Sequence, residues 1–407
     1  MGLGDLREVE RATVLKAGIP AATLERHSQS VVFSYLQTYL AEHLPPVATS
    51  LPRSTEAMVT HAAGALPPFF SGLLPEGRRL SALRRAVKTS ADDEFSLLLA
   101  VGRDTVGDVR IQPEGDNDLG EATPAIEVTE WHQVHFPELF AVSVGEPERI
   151  DRVALPGVQE KVSLSMINLP VARAGSRYFL KLDPPEFPHL VANEAFFVEA
   201  ARRSGIETAQ VEVVRDAHGN AGLLIHRFDR ITTPAGAPLA LAQEDACQVL
   251  GRFPADKYRL TTEEVIRALS SLCRARPVAA VTLLKQVAFA YLACNGDAHA
   301  KNFSIRRFPP GEWRVCPAYD LPSSYPYGDT TMALSVNGRN RENIRRADFL
   351  ALGIAVNLRK RAVERVLDDL CDAVPLWIGE LDQLPFDRGR IRKLRRAIEY
   401  RRDRLAR

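Results

Sequence analysis

The sequence predicts an α+β protein of two lobes with a cleft between them. Three observations carry that prediction. Between residues 150 and 230 the pattern is of strands, "KVSLSMI", "RYFLKLD", "QVEVV" and "GLLIHRFD", with one helical stretch, "HLVANEAFFVEAARRSGI", among them. From Gln243 onward helical patterns dominate. Ahead of both, "IQPEGDNDLGEATPA" (111–125) is polar and rich in Gly and Pro, which marks a linker. A strand-rich block followed by a helical block packs as two lobes, and ligands bind in the cleft between such lobes.

The expected units are therefore residues 1–125, 126–235 and 236–407, in keeping with a chain of 407 residues. In the first, "RATVLKAG" and "SQSVVFSYLQTYL" read as short strands joined by a turn, and Pro45, Pro46 and Pro52 then break the chain. "PPFFSGLLPEGRRLSALRRAVK" begins as a punctuated apolar loop and continues as an amphipathic helix, with Phe69, Phe70, Leu73 and Leu74 as core or interface. "EFSLLLAVGRD" reads as a helix ending at Gly102. In the second unit, Leu190, Glu194, Phe197 and Ala201 recur at helical spacing, and Gly205 ends that helix. In the third, "VAAVTLLKQVAFAYLAC" is the most apolar run, but Lys285 interrupts it. It falls short of the ~20 apolar residues of a membrane span and reads as a buried helix.

Composition narrows the classes. With 52 basic and 51 acidic residues the net charge is +1, so bulk electrostatics gives the isolated chain no pull toward nucleic acid. Cys247, Cys273, Cys294, Cys316 and Cys371 form no CxxC pair, and "MGLGDLREVE" lacks an apolar signal core. The expectation is a reduced cytoplasmic protein without a membrane segment.

Four stretches carry chemistry. Lys181, in "YFLKLDPP", must point to one face of a sheet. If that face is the cleft, its ammonium needs an anion, with Glu194 or a nucleotide phosphate as candidates; an edge-strand lysine in solvent is the other reading. "ALPGVQEKVSLS" places Gly157 between a proline and an apolar strand, as a phosphate-cradling loop or an ordinary turn would. "CNGDAHAKNF" sets Asp297 and Asn302 five positions apart, and Asp320 follows in "CPAYDLPSSYP". Protein kinases space a catalytic aspartate and a metal-binding asparagine in this way and place a second metal-binding aspartate after them. Phosphoryl transfer needs a carboxylate at the attacking hydroxyl and hard oxygen ligands for Mg²⁺. His299 and Lys301 lie between them and could stabilise the loop or the developing charge. Asp and Asn that only cap a turn are the plainer reading of the same loop.

Taken in order, these stretches resemble the HipA family of type II toxin–antitoxin kinases over nearly the whole chain. "PPFFSGLLPEG" and "LLLAVGRDTVGDV" are similar to the family's N-terminal coupling region, "LPGVQEKVSL" to its nucleotide loop, and "YFLKLD" with "NEAFF" to its ATP-lysine strand and following helix. "HRFDR" is similar to the hinge, "LAQEDACQVLGRFPADKY" to a helical insert, "GDAHAKNFS" to the catalytic loop and "AYDLPSSYP" to the second metal motif. The resemblance implies a two-lobed protein-kinase-like fold with a mixed N-terminal subdomain and a mostly helical C-terminal lobe, acting as an ATP- and Mg²⁺-dependent serine/threonine kinase. It implies Asp297 as catalytic base, and Asn302 and Asp320 as metal ligands. Lys181 would hold ATP phosphates with Glu194 as its partner. Gly157, Val158, Gln159, Glu160 and Lys161 would form the phosphate loop. His226 and Phe228 would border adenine, and His299 and Lys301 would lie by the nucleotide. It further implies a protein substrate of the aminoacyl-tRNA synthetase kind, a HipB-like helix-turn-helix antitoxin, and operator DNA reached only through that complex. A small-molecule or phospholipid kinase of the same fold, or a catalytically silent antitoxin-binding module, stand as alternatives. Two positions depart from the family pattern. Ala154 replaces the serine that is autophosphorylated in well-known members, and His226 replaces a glutamate before "RFDR".

Three further features have plain readings. The last twenty residues hold about ten Arg and Lys, but Leu394, Ala397, Ile398 and Leu405 form an apolar stripe. A packed, solvated helix and a DNA or antitoxin contact are both open. His132 and His135 in "WHQVHF" lack further ligands at zinc spacing, and Trp313 and Trp377 read as core.

Overall fold

The computed structural model describes residues 2–28, 30–61, 65–116, 130–139, 167–173, 176–233 and 238–407. The N-terminal unit is built on a five-stranded antiparallel sheet. Its strands are β1 (Arg11–Lys16), β2 (Ile19–His27), β3 (Ser30–Tyr35), β4 (Met58–Thr60) and β5 (Val109–Pro113), in the order β4-β3-β2-β1-β5. Alternate residues Ala12 and Val14 of β1, and Val31, Phe33 and Tyr35 of β3, face one core with Phe69, Phe70, Phe95 and Leu98. The expected pair of strands with a turn between them is thus a three-stranded run. β2 escaped the pattern because Pro20 opens it, and the register slips at that point, between Val14 and Leu15. The expected strand through Leu40 stops at Tyr35, and Gln37–Ala41 is helical.

The helix at Glu94–Val101 does end at Gly102. A Cβ there would lie 2.5 Å from the carbonyl oxygen of Ile111, so the close approach of β5 requires glycine. This also corrects the start of the linker. Ile111–Pro113 belong to β5, paired with β1, and Ile111 is fully buried; residues 117–129 lie outside the described residues.

The middle unit carries a four-stranded antiparallel sheet, β6-β7-β9-β8: β6 (Ile167–Arg173), β7 (Ser176–Leu182), β8 (Val211–Arg215) and β9 (Ala221–His226). Of the expected strand "KVSLSMI", only Ile167 lies within the described residues. On β7 the two-residue period separates Leu180 and Leu182, which join Phe136, Val171, Val214 and Leu224 in one core, from Phe179 and Lys181, which face the cleft. The helix Leu190–Arg203 packs across the sheet with Leu190, Glu194, Phe197 and Ala201 all buried, as their spacing requires. Gly205 follows with φ +71°, and the Lys285 ammonium donates to its carbonyl at 2.8 Å.

The C-terminal lobe holds the largest core, around the buried helix Arg276–Leu292. Helices Thr262–Leu272, Arg346–Ala355, Lys360–Ala373 and Arg388–Ala406 complete it with a sheet of β12 (Ala242–Asp245), β13 (Ser304–Phe308) and β14 (Glu312–Val315). A two-stranded ribbon, β10 (Arg230–Thr232) and β11 (Pro238–Ala240), leads into it. The stretch "LAQEDACQVLGRFPADKY", expected to be helical, is instead β12, a four-residue helix and a single 3₁₀ turn. Trp377 is buried and donates to Ser204 Oγ at 3.2 Å, while Trp313 is half-buried against the same core. The basic last helix buries Leu394, Ile398 and Leu405, and also Arg401, which donates to the carbonyls of Tyr291 and Thr330 at 2.8 Å each. No helix among the described residues is long and apolar enough to cross a membrane.

Candidate active site

The cleft gathers side chains from all three units. It encloses about 1290 Å³ of space, open mouth included. Its sheet-side wall is Phe179, Lys181, Ile225 and His226, and its floor is Asn295, Asp297, His299, Lys301, Asn302 and Asp320.

Lys181 sits at the centre. Its ammonium donates to both oxygens of Glu194, at 2.8 and 3.0 Å, and forms a short contact with Asp320 Oδ1. The lysine is buried, so the solvent-exposed edge-strand reading is excluded. Burial alone would lower its pKa, but Asp320 and Glu194 outweigh that and hold the ammonium protonated. Burial pushes the Glu194 carboxyl up toward about 7, against the pull of Lys181.

Asp320 keeps 41% of its side-chain surface open to the cleft. Its backbone is left-handed (φ 53°), a costly conformation for a residue with a Cβ, and Asn295 Nδ2 steadies it by donating to its carbonyl at 3.0 Å. Asn302 Nδ2 donates to Asp320 Oδ2 at 2.9 Å, so the two expected metal ligands lie side by side. The Asn302 amide oxygen accepts the backbone N–H of His299 at 3.0 Å and closes the loop into one 3₁₀ turn, Ala300–Asn302.

Asp297 faces the same cleft. Tyr258 donates its hydroxyl to Asp297 Oδ1 at 2.6 Å, and Asn295 Oδ1 accepts the Asp297 backbone N–H at 3.1 Å. His299 packs its ring edge-on against Tyr258, with centroids 5.2 Å apart. Burial, reinforced by Lys257 and Lys301, pushes the His299 pKa down to about 4, so the ring is neutral at pH 7. Its Nδ1 is buried with no hydrogen-bond partner among the described residues, which is costly unless a ligand completes it.

His226 and Phe228 both line the cleft at the end of β9. The His226 ring meets Tyr178 edge-on at 5.3 Å, and Phe228 lies against Tyr319 at 5.7 Å. Gly157, Val158, Gln159, Glu160 and Lys161 lie outside the described residues, as do Ala154, Ser163 and Ser165. His132 pairs with Glu130, and His135 lies against His218. Among the described residues no three His, Cys, Asp or Glu side chains cluster as a metal site.

Several functional neighbours carry no sequence signal that spacing could reveal. Glu76, from "LLPEG", enters the cleft from the N-terminal unit and accepts from Lys257 Nζ at 2.7 Å and Lys301 Nζ at 2.5 Å. Lys301 is therefore already paired within the protein, sharing Glu76 with Lys257. Asp104, also N-terminal, accepts from Arg227 of the hinge at 2.8 and 3.0 Å, from Arg177 at 2.8 Å and from Arg230 at 2.7 Å.

The residues present fit Mg²⁺ and a nucleotide. Mg²⁺ is commonly held by one or two carboxylates plus substrate phosphates and water, rather than by an all-protein cage. Asp320 presents carboxylate oxygens of that kind beside one protonated lysine; the Asn302 amide oxygen accepts from the His299 N–H and keeps a second lone pair, and an aromatic-walled hinge lies further along.

Comparison with known proteins agrees with this geometry. The HipA N-terminal domain matches residues 12–112, and the HipA-like C-terminal domain matches residues 153–378. The candidate kinase Y4mE of Sinorhizobium fredii is 30% identical over 391 residues, with 91% of each chain covered. A second candidate kinase of the same organism, Y4dM, is 32% identical over 407 residues, covering 90% of this chain and 91% of that one. The serine/threonine-protein kinase toxin HipA of Shewanella oneidensis is 29% identical over 300 residues, 68% of this chain and 67% of that protein. A solved complex of Shewanella oneidensis HipA with HipB and operator DNA matches in fold with a TM-score of 0.76 at 20% identity, covering 97% of both chains. With both family domains matched in order, and relatives similar along almost its full length, the chain belongs to the HipA family of kinases.

Proposed function

We propose that this protein is a HipA-like toxin, an ATP- and Mg²⁺-dependent serine/threonine kinase. In this reading it arrests growth in the cytoplasm by phosphorylating a translation component of the aminoacyl-tRNA synthetase kind, and a HipB-like helix-turn-helix antitoxin neutralises it. The observation that carries the kinase chemistry is the convergence of Lys181, Asp320, Asn302 and Asp297 in one cleft. The toxin and antitoxin parts rest on the named Shewanella relatives, one of which was solved with HipB and operator DNA.

Each side chain then has a task. Asp320 and Asn302 would hold Mg²⁺, which when bound neutralises phosphate charge. Lys181, kept protonated and oriented by Glu194, is a fixed positive charge for phosphate oxygens. Asp297 accepts the proton of, or orients, the substrate hydroxyl, while Tyr258 fixes its rotamer. His299 presents a neutral ring to the same space, and its unpartnered Nδ1 supports contact with bound substrate.

The test is Asp297→Asn. With γ-labelled ATP and a cell lysate, wild type should label a protein band and the variant should not, while both bind ATP and only wild type arrests growth on expression. If the variant still arrests growth, phosphoryl transfer is not the toxic act. A labelled small molecule or lipid, with no labelled protein, would give the protein to the small-molecule or phospholipid class.

A further inference from the structure

Two lysines are buried at the catalytic loop. Lys301 sits one residue before Asn302, and Lys257 lies against the same loop with its backbone carbonyl accepting the Ala300 N–H at 3.2 Å. Both ammoniums are buried, Lys257 completely. Two unpaired buried cations this close would repel each other and distort the turn between them.

Their shared counter-ion comes from another unit. Glu76 lies 181 positions before Lys257 and 225 before Lys301, and its two oxygens divide between them. The Gly72 carbonyl also accepts from Lys301, at 3.4 Å, and Gln248 donates to the Phe69 carbonyl at 3.1 Å, so the whole "FFSGLLPEG" segment is seated. Gly77, with φ +58°, turns the chain immediately after the glutamate. Asp245 is the other carboxylate facing Lys301 across this space.

We infer that Glu76 is a positioning residue for phosphoryl transfer, through which the N-terminal unit acts as a built-in activating element of the kinase. The route is short. Glu76 fixes Lys301, and with it the turn that presents Asn302. It also fixes Lys257, whose neighbour Tyr258 holds Asp297 at 2.6 Å. Glu76 thus bears on both the metal side and the acceptor side of the loop. Burial alone would raise its pKa, but Lys301 and Lys257 outweigh that and hold the carboxyl down at about 2. It therefore remains charged throughout the working pH range.

This inference rests on the kinase reading, and the experiment separates the two. Full-length wild type, E76Q and E76Q/K257M are compared for transfer of labelled phosphate from Mg-ATP to lysate protein, with the apparent KM for ATP, direct ATP binding and urea unfolding measured in parallel. Because a misplacement of about 1 Å costs about 100-fold, E76Q should lose roughly 30- to 100-fold in maximal rate while ATP affinity stays within about threefold. E76Q/K257M, which removes one lysine with the carboxylate, should regain at least about tenfold over E76Q. That rescue is not expected of a residue that merely holds the domains together. Should E76Q fail to fold, a folded and active double variant supports the inference, and a folded but inactive one overturns it. Wild-type transfer with an equally fast E76Q overturns this inference alone, whereas absence of transfer by wild type refutes the kinase reading itself.

Discussion

Replacing Asp104 by asparagine tests how the N-terminal unit supports the hinge. Asp104 is fully buried and accepts four hydrogen bonds from three arginines, two of them from Arg227. Among the described residues, Arg177, Arg227 and Arg230 meet the carboxylates of Asp104 and Asp229 in this cluster. Asparagine keeps the shape but removes one charge, so Arg227, which pairs with both Asp104 and Asp229, is left with Asp229. Arg177 keeps 20% of its side-chain surface, so water can compensate it; Arg227, at 1%, has no such recourse. Removing one partner of a buried pair costs about 3–5 kcal/mol, and the lower end is expected here because buried Arg227 keeps Asp229. Arg227 also lies over the Phe179 ring at 4.9 Å, beside Lys181, so its displacement should raise the KM for ATP. Urea unfolding followed by tryptophan fluorescence, with KM measured in parallel, is the assay. A loss below about 1 kcal/mol with unchanged KM would show that the cluster bears neither on docking nor on the hinge.

Other outcomes follow from the same geometry. Asp320→Asn should cut the rate about 100-fold or more and raise the Mg²⁺ concentration for half-maximal rate, read from a Mg²⁺ titration, because it removes the charged member of the proposed metal pair and one anion on Lys181. Gly296→Ala places a Cβ 2.3 Å from Asp329 Oδ2 and 2.7 Å from Ser324 Oγ, so the loop between Asn295 and Asp297 must shift. Transfer should fall at least about tenfold while ATP still binds, as measured by calorimetry. The Glu76 carboxyl sits at about 2 in the fold against 4.5 ordinarily, so its stabilisation is complete above about pH 4.5 and is lost as pH falls toward 2. Acid unfolding of E76Q should therefore be flatter than that of wild type across that window, and a parallel curve would contradict the assignment.

Legibility in the sequence followed the range of the interactions. Lys181 could be placed on a sheet face and Glu194 on a helix face because periods of 2 and 3.6 residues are local facts. Asp297, Asn302 and Asp320 could be read as one set, and they share the cleft, because one turn and the two strands after it fix their spacing. Strand β2 was missed where a proline and a slipped register hid its alternation, and "LAQEDACQVL" misled because a short apolar run does not distinguish strand from helix. The basic last helix read equally as a packed or a contacting element, and the buried Leu394, Ile398 and Arg401 show that one face packs.

By itself, the sequence determined the periodic faces, the apolar core helix and the order of the residues proposed to handle phosphate, since each depends on neighbours a few positions away. Only the tertiary structure decided which distant charges meet. Glu76 reaches Lys301 across 225 positions, and Asp104 reaches Arg227 across 123. No periodicity couples such pairs. Their partners are set by burial, which makes an unpaired charge too costly to leave alone and so selects the packing that brings its counter-ion to it.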